Sequence, residues 1–300
     1  MVIREFSFGN ALTYFANSPG PGSFIWKFIL GYAVSGVLIF GGFLFLIPAS
    51  ISQPYTSAMD PVDPLTTPAT IVSPVELVIT YLALLLVGLA FWAIHEAAVQ
   101  RRLVRGDGYK LRLGGDELRL MAVALALALI LLVVYFVVAM VGILMVGGAV
   151  ASDSSGAAFF VTVLGAIFVF FVLLAVMVRL SAASALTVRD RKIHVFKSLD
   201  VTAGRFWPLF GAYLLIHIGL YLFVLVMFSL IFGVTFGAVM AGGSSDPDLI
   251  AGIALIVLGG SGYAIAISLY PLVLAGPGAL AAINDPTWEA GIESQADVFS

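Results

Sequence analysis

Across 300 residues, 61% are apolar and 10% charged, and the mean hydropathy is +1.11; too little polar surface remains to cover a water-soluble core. An ordinary soluble domain is thereby excluded, and the composition is that of an integral membrane protein. The net charge of −3 conceals a strong segregation of sign along the chain, and the lack of cysteine rules out disulfides and thiolate metal sites.

In chain order, Ser7 to Asn17 reads as a short amphipathic helix with Phe8, Leu12 and Phe15 on one face, ended by the Pro-Gly repeat at 18–22. Residues 24–47 form a first predicted span whose lone charge, Lys27, sits near its start, where an ammonium can reach the headgroups. The run is longer than the apolar core of a secretory signal peptide, and no small-residue cleavage site follows it. Residues 48–74 carry six prolines and no lysine or arginine, and are predicted to be an irregular loop in water. Asp60 and Asp63 in it are read as solvated carboxylates.

Further spans are predicted over 75–99, 118–146, 157–180, 206–240 and 249–282. Asp116 and Glu117 start the third, where carboxylates favour the helix dipole. Small residues at 147–156 and 242–248 read as turns. Between the fourth and fifth spans, Arg189 to Gly204 reads as a basic amphipathic helix lying in the interface, with Ile193, Phe196 and Leu199 on its apolar side. Pro271 is expected to kink the sixth span and Gly276-Pro277-Gly278 to interrupt it. An acidic tail over 284–300 completes a single transmembrane domain of residues 1–283.

Lysine and arginine are confined to the N-terminus, to the connections before spans three and five, and to the helix ends facing them. By the positive-inside rule both termini are cytoplasmic, which for a bacterial cell means a multi-pass protein of the inner membrane with loops in the periplasm. The predicted fold is all-α: six transmembrane helices arranged as three parallel two-helix repeats with cytoplasmic interfacial segments. The repeat units are 7–100, 101–189 and 190–283, aligned by Trp26 and Tyr32 with Trp207 and Tyr213, and by Arg101 with Arg189. Three unrelated hairpins of similar hydropathy remain the alternative. Trp26 and Trp207 are the expected interface anchors.

The opening Phe6-Ser-Phe-Gly-Asn-Ala-Leu-Thr-Tyr-Phe15 and the segment Gly204-Arg-Phe-Trp-Pro-Leu-Phe-Gly-Ala-Tyr213 resemble the poorly characterised bacterial six-span proteins related to the membrane domain of some glycerophosphoryl diester phosphodiesterases. That resemblance implies a membrane module with no soluble phosphodiesterase domain, and it carries no catalytic residue over.

His217, about ten residues into span five, is the one ionisable side chain expected deep in the membrane, read as a neutral imidazole bonded to a neighbouring helix rather than as a ligand or proton carrier. His95, Glu96 and His194 lie at other depths, so neither a metal site nor a cofactor is expected, and no catalytic motif is present. Gly31 with Ser35, and Gly233 with Gly237, read as close-packing faces. Arg101, Arg102, Arg105, Arg191, Lys192 and Lys197 are the candidate collar for anionic headgroups. The expected partners are membrane lipids, anionic ones above all, together with a membrane protein or a second copy of the chain, and no nucleic acid. These residues favour a non-enzymatic accessory subunit or scaffold; the alternative is a permease or channel for a small or lipidic substrate, with a membrane-embedded enzyme third.

Overall fold

The computed structural model describes residues 5–46, 74–151, 155–240 and 246–285, and among them helix is the only regular secondary structure, with no strand. Nine helices follow in order: α1 Phe8–Asn17, α2 Phe24–Leu46, α3 Pro74–Arg105, α4 Gly115–Ala151, α5 Ser155–Leu180, α6 Ala183–Asp190, α7 Lys197–Ala203, α8 Phe206–Met240 and α9 Asp246–Ile283. Among the described residues five segments are long and apolar enough to cross a membrane: Val78–Arg105, Gly115–Leu144, Phe159–Asp190, Phe206–Leu230 and Ala264–Ile283. In α2 the apolar stretch Phe24–Ile39 is shorter than these. The expected Pro-rich loop with Asp60 and Asp63, the centres of two turns (152–154 and 241–245) and the acidic tail from 286 lie outside the described residues.

Several helices exceed their expected bounds. α3 runs to Arg105, six residues past the expected end at 99, and α4 continues through Gly147 and Gly148 to Ala151. A glycine in a helix costs only about 1 kcal/mol relative to alanine, less than the several kcal/mol of an unsatisfied backbone group in a lipid core. The same balance governs α9, which is one helix from Asp246 to Ile283 with both Pro271 and Pro277 inside it. The expected interruption at 276–278 is therefore absent, and its glycines serve packing instead. A Cβ on Gly278 would stand 2.2 Å from the carbonyl oxygen of Ser181, and one on Gly276 would stand 3.3 Å from the backbone nitrogen of Phe15.

These contacts make α9 the centre of the bundle. It packs against α1, α2, α3, α6 and α8. Half of the most apolar window in Ala264–Ile283 is buried, against 6% in Gly115–Leu144. The main core gathers Phe24, Phe28, Leu103, Leu186, Leu209, Leu272 and Leu280 at the end of the bundle that carries the basic residues. Towards the far end the helices turn large apolar side chains outward, among them Leu85, Leu132, Phe136, Phe168, Leu225 and Phe228. Such a surface is stable against acyl chains and not against water.

α1 begins at Ser7, whose Oγ accepts the N–H of Asn10 at 3.2 Å. It buries Ala11 and Tyr14, while Phe8 is exposed, so the buried stripe differs from the expected Phe8, Leu12, Phe15 face. Two close fits decide this. Ala11 is small enough for α9 to cross beside it, and the Tyr14 hydroxyl donates to the Leu103 carbonyl at 2.8 Å.

The expected amphipathic helix from Arg189 to Gly204 is two short helices. α6 ends where Arg191 adopts a left-handed backbone (φ 54°), and the hydroxyl of Thr187 then accepts the N–H of His194 at 3.1 Å. Ile193 and Phe196 nevertheless stay exposed, as an interfacial segment requires.

Replacing Gly278 by alanine is expected to destabilise the protein by about 1–3 kcal/mol through overpacking against backbone. Gly219→Ala, where a Cβ meets nothing within 4 Å, is expected to be neutral or stabilising. Thermal unfolding in detergent checks both.

Candidate functional site

The polar chemistry of the chain collects where α3, α4, α6 and α9 meet at the basic end. α3 carries Arg101, Arg102 and Arg105 in its last turn and a half, and Gly106, at φ 74°, reverses the chain there while its N–H bonds the Arg102 carbonyl. The return over 107–113 brings up the first turn of α4, where the Glu117 carboxylate accepts the Gly114 N–H at 3.0 Å. Glu117 also accepts from Arg101 in an ion pair whose side chains are 0% and 3% exposed. Arg101 gives a second N–H to the Lys110 carbonyl at 3.0 Å. Asp116 takes Arg105 on one oxygen and Arg119 on the other, both at 3.1 Å.

Arg102, Arg105, Arg189 and Arg205 hold backbone carbonyls at this end. Arg102 donates to Pro21 at 2.6 Å and stands 4.8 Å over the Phe24 ring, which ties α3 to the start of α2. Arg105 donates to the Val188 carbonyl in the last turn of α6. Arg189 donates to Ala282, and Arg205 to Ala281 (3.1 Å) and Asn284, at the end of α9. These are the carbonyls a helix leaves unsatisfied at its C-terminus, and a cation there also meets the negative end of the helix dipole. Asp285 closes the set by accepting from Arg189 at 3.1 Å with Lys197 at 3.4 Å.

The six candidate collar residues therefore separate into two groups. Arg101 and Arg102 are 2% exposed and Arg105 is largely covered, all three committed to internal acceptors. A guanidinium taken out of water has to find such acceptors. Lys197 stands between Asp190 and Asp285. Arg191 and Lys192 are exposed, and among the described residues no ion pair engages them. His194 lies 3.2 Å from Asp190; burial holds its pKa below the ordinary value, against the pull of that carboxylate.

Trp26 and Trp207 stand at the starts of α2 and α8 with 72% and 75% of their surface exposed. His217 is buried. Its Nδ1 lies 2.7 Å from the Tyr213 carbonyl, which requires the proton on Nδ1, and Nε2 then accepts from the Tyr270 hydroxyl of α9 at 3.2 Å. His95 is held in the same manner, with Nδ1 on the Phe91 carbonyl at 2.8 Å and Nε2 3.2 Å from Ser35 of α2. Gly31 faces not another helix but Tyr109, whose half-buried ring brings its hydroxyl to where a Cβ would be. Burial raises that phenol to about 12.

Sequence reading missed three features. Glu96 lies buried between Gln100, which donates to it at 2.8 Å, and the Ser184 hydroxyl. Asp285 and Tyr14 bridge elements far apart in the chain. The spacing Glu96 to Gln100, i to i+4, was the one available signal. No family model, curated protein or solved structure matches this chain.

Glu117→Gln, which strands Arg101, is expected to cost about 3–5 kcal/mol of stability, whereas Arg101→Met with Glu117→Leu is expected to recover most of that loss. Chemical unfolding of the three proteins in one detergent decides it. His217→Leu and Tyr270→Phe are each expected to cost about 0.6–1.7 kcal/mol and together little more than either alone, because they remove one interhelical hydrogen bond.

Proposed function

We propose that this chain is a non-enzymatic module of the bacterial inner membrane, an accessory subunit or scaffold that engages anionic lipid and a membrane partner protein. In this reading it has six spans, α2 completing the set, with both termini and the basic end of the bundle in the cytoplasm. Three parallel two-helix units would then follow from the even number of spans per unit, in keeping with the resemblance to phosphodiesterase-associated membrane domains.

One observation carries the reading. The buried arginines and carboxylates of the basic end are matched to one another, to side-chain hydrogen bonds or to backbone carbonyls, with the Arg102 Nε and the Tyr109 hydroxyl left without a partner, and this builds a platform rather than a reactive constellation. Around that platform Trp26, Trp207, Ile193 and Phe196 are exposed, and so are Arg191 and Lys192, which no ion pair engages among the described residues. Aromatic rings and basic side chains in that combination suit a lipid headgroup layer.

The permease reading keeps one point in its favour, an apolar cleft of about 380 Å³ between α2 and α3 that reaches Ser35 and His95. His217, by contrast, has both ring nitrogens occupied by Tyr213 and Tyr270.

Single cysteines at Ser57, Ser154 and Ser245 are expected to react with an impermeant thiol reagent on intact cells, and cysteines at Asp107 and Lys192 to react only after permeabilisation. Reaction of Lys192→Cys in intact cells would overturn the orientation. Purified protein is expected to retain anionic over zwitterionic phospholipid and to leave solute flux across reconstituted vesicles unchanged. Equal retention would remove the lipid reading, and a saturable flux would favour the permease.

A further inference from the structure

Two recesses at the basic end share one residue. The first, about 420 Å³, is lined by Arg105, Arg112, Arg119 and Arg191 with Asp116 and the Gly114-Gly115 backbone. Its charge is unbalanced: Asp116 is already shared by Arg105 and Arg119, and among the described residues no ion pair or hydrogen bond engages Arg112 or Arg191. The second is the α2–α3 cleft, whose walls are Ile39, Val87, Ala90, Phe91 and Ile94, and whose mouth is formed by Leu111, Arg112 and Leu113. Arg112 thus stands between a cationic bowl and an apolar slot. Beside it Leu113 and Leu118 are 69% and 63% exposed, which sets the bowl at the level where headgroups give way to acyl chains.

Arg191 adds a second, independent sign. It ends α6 in the left-handed region at φ 54°, a conformation that glycine adopts freely and arginine only at a cost. Glycine is the usual residue at that place in a helix. A side chain kept there against the backbone preference, exposed and unpaired, stands where only something outside the chain can use its charge.

We propose that an anionic phospholipid binds here, its phosphate held by Arg112 and Arg191 at the rim of the bowl, with Arg105 and Arg119 behind, and one acyl chain laid in the α2–α3 cleft. Guanidinium groups match phosphate oxygens in pairs of parallel hydrogen bonds, which a soluble phosphate could use as well as a lipid. The cleft selects the lipid, because a free phosphate leaves it empty. This assignment rests on the lipid-binding reading above and places it at one site.

The experiment measures binding to detergent-purified full-length protein of dioleoyl phosphatidylglycerol, dioleoyl phosphatidylcholine and glycerol 3-phosphate. The variants are Arg112→Gln with Arg191→Gly, Ala90→Phe in the cleft, and Lys110→Gln, an exposed basic side chain that lines neither recess. Arg191→Gly removes the charge and eases the backbone, so a folded variant is expected, and thermal unfolding verifies it for every protein. Phosphatidylglycerol is expected to bind about tenfold or more tighter than either other probe, and to lose about tenfold in the double arginine variant and severalfold in Ala90→Phe. Lys110→Gln is expected to change it less than about twofold.

Glycerol 3-phosphate binding as tightly as the lipid, unaffected by Ala90→Phe, would make the ligand a soluble phosphate and overturn the proposal. A parent that prefers phosphatidylglycerol but is unchanged in the double variant would overturn this site while leaving lipid binding elsewhere intact. A parent that binds both phospholipids equally would overturn the lipid reading itself.

Discussion

A guanidinium that leaves water must be given acceptors or it will not stay folded away, and Arg101 is the place where this constraint shapes the molecule. Its charge is fully covered, and Glu117 and the Lys110 carbonyl are what cover it. To bring Glu117 there, the chain after α3 must turn at Gly106 and return, so that α4 begins with its acidic first turn against the last turn of α3. Asp116 then falls beside Arg105, whose other nitrogen reaches the Val188 carbonyl and locks α6 in place. Replacing such a pair by apolar residues can be neutral, whereas breaking it leaves a buried charge worth several kcal/mol. Its role is therefore to specify which helix ends meet as much as to stabilise them.

The rest of the bundle follows from the same end. Arg189 and Arg205 seize the final carbonyls of α9, and Gly276 and Gly278 let α1 and the turn at Ser181 lie directly against its backbone. Polar anchors and small residues are the two means by which helices associate in lipid, where burial of apolar surface gives no net drive. Further along, the exposed leucines and phenylalanines have the bilayer as their partner, and dense packing there is unnecessary. One end is built by specific contacts and the other by solvation in acyl chains.

The long apolar helices were legible in the sequence because hydropathy over some twenty residues is a strong signal, and Asp116-Glu117 marked the start of α4 through the helix dipole. The ion-pair partners were not. Arg101, Arg102 and Arg105 look like a lipid-facing collar because positive charge beside an apolar run is what topology alone would require, and nothing local says that Glu117 lies sixteen residues away in space beside them. The burial of Glu96 was equally hidden, since it depends on Ser184 of α6 arriving from another part of the chain. Pro277 misled in the opposite direction: its missing N–H suggested a break, but the cost of exposing further backbone groups keeps α9 helical. Arg191 could be read only from a backbone angle, which composition does not carry.

The distance distribution between spin labels at Asp107 and Ile193, measured by pulsed electron spin resonance in lipid nanodiscs, tests most directly whether the buried charge lattice holds the basic end together. Both positions are exposed, and they flank the α3–α4 and α6–α7 connections that Arg101, Glu117 and Arg105 join. A narrow distribution in the parent that broadens on Glu117→Gln is the predicted result. A distribution that is already broad in the parent, or that stays equally narrow after the substitution, would contradict the account.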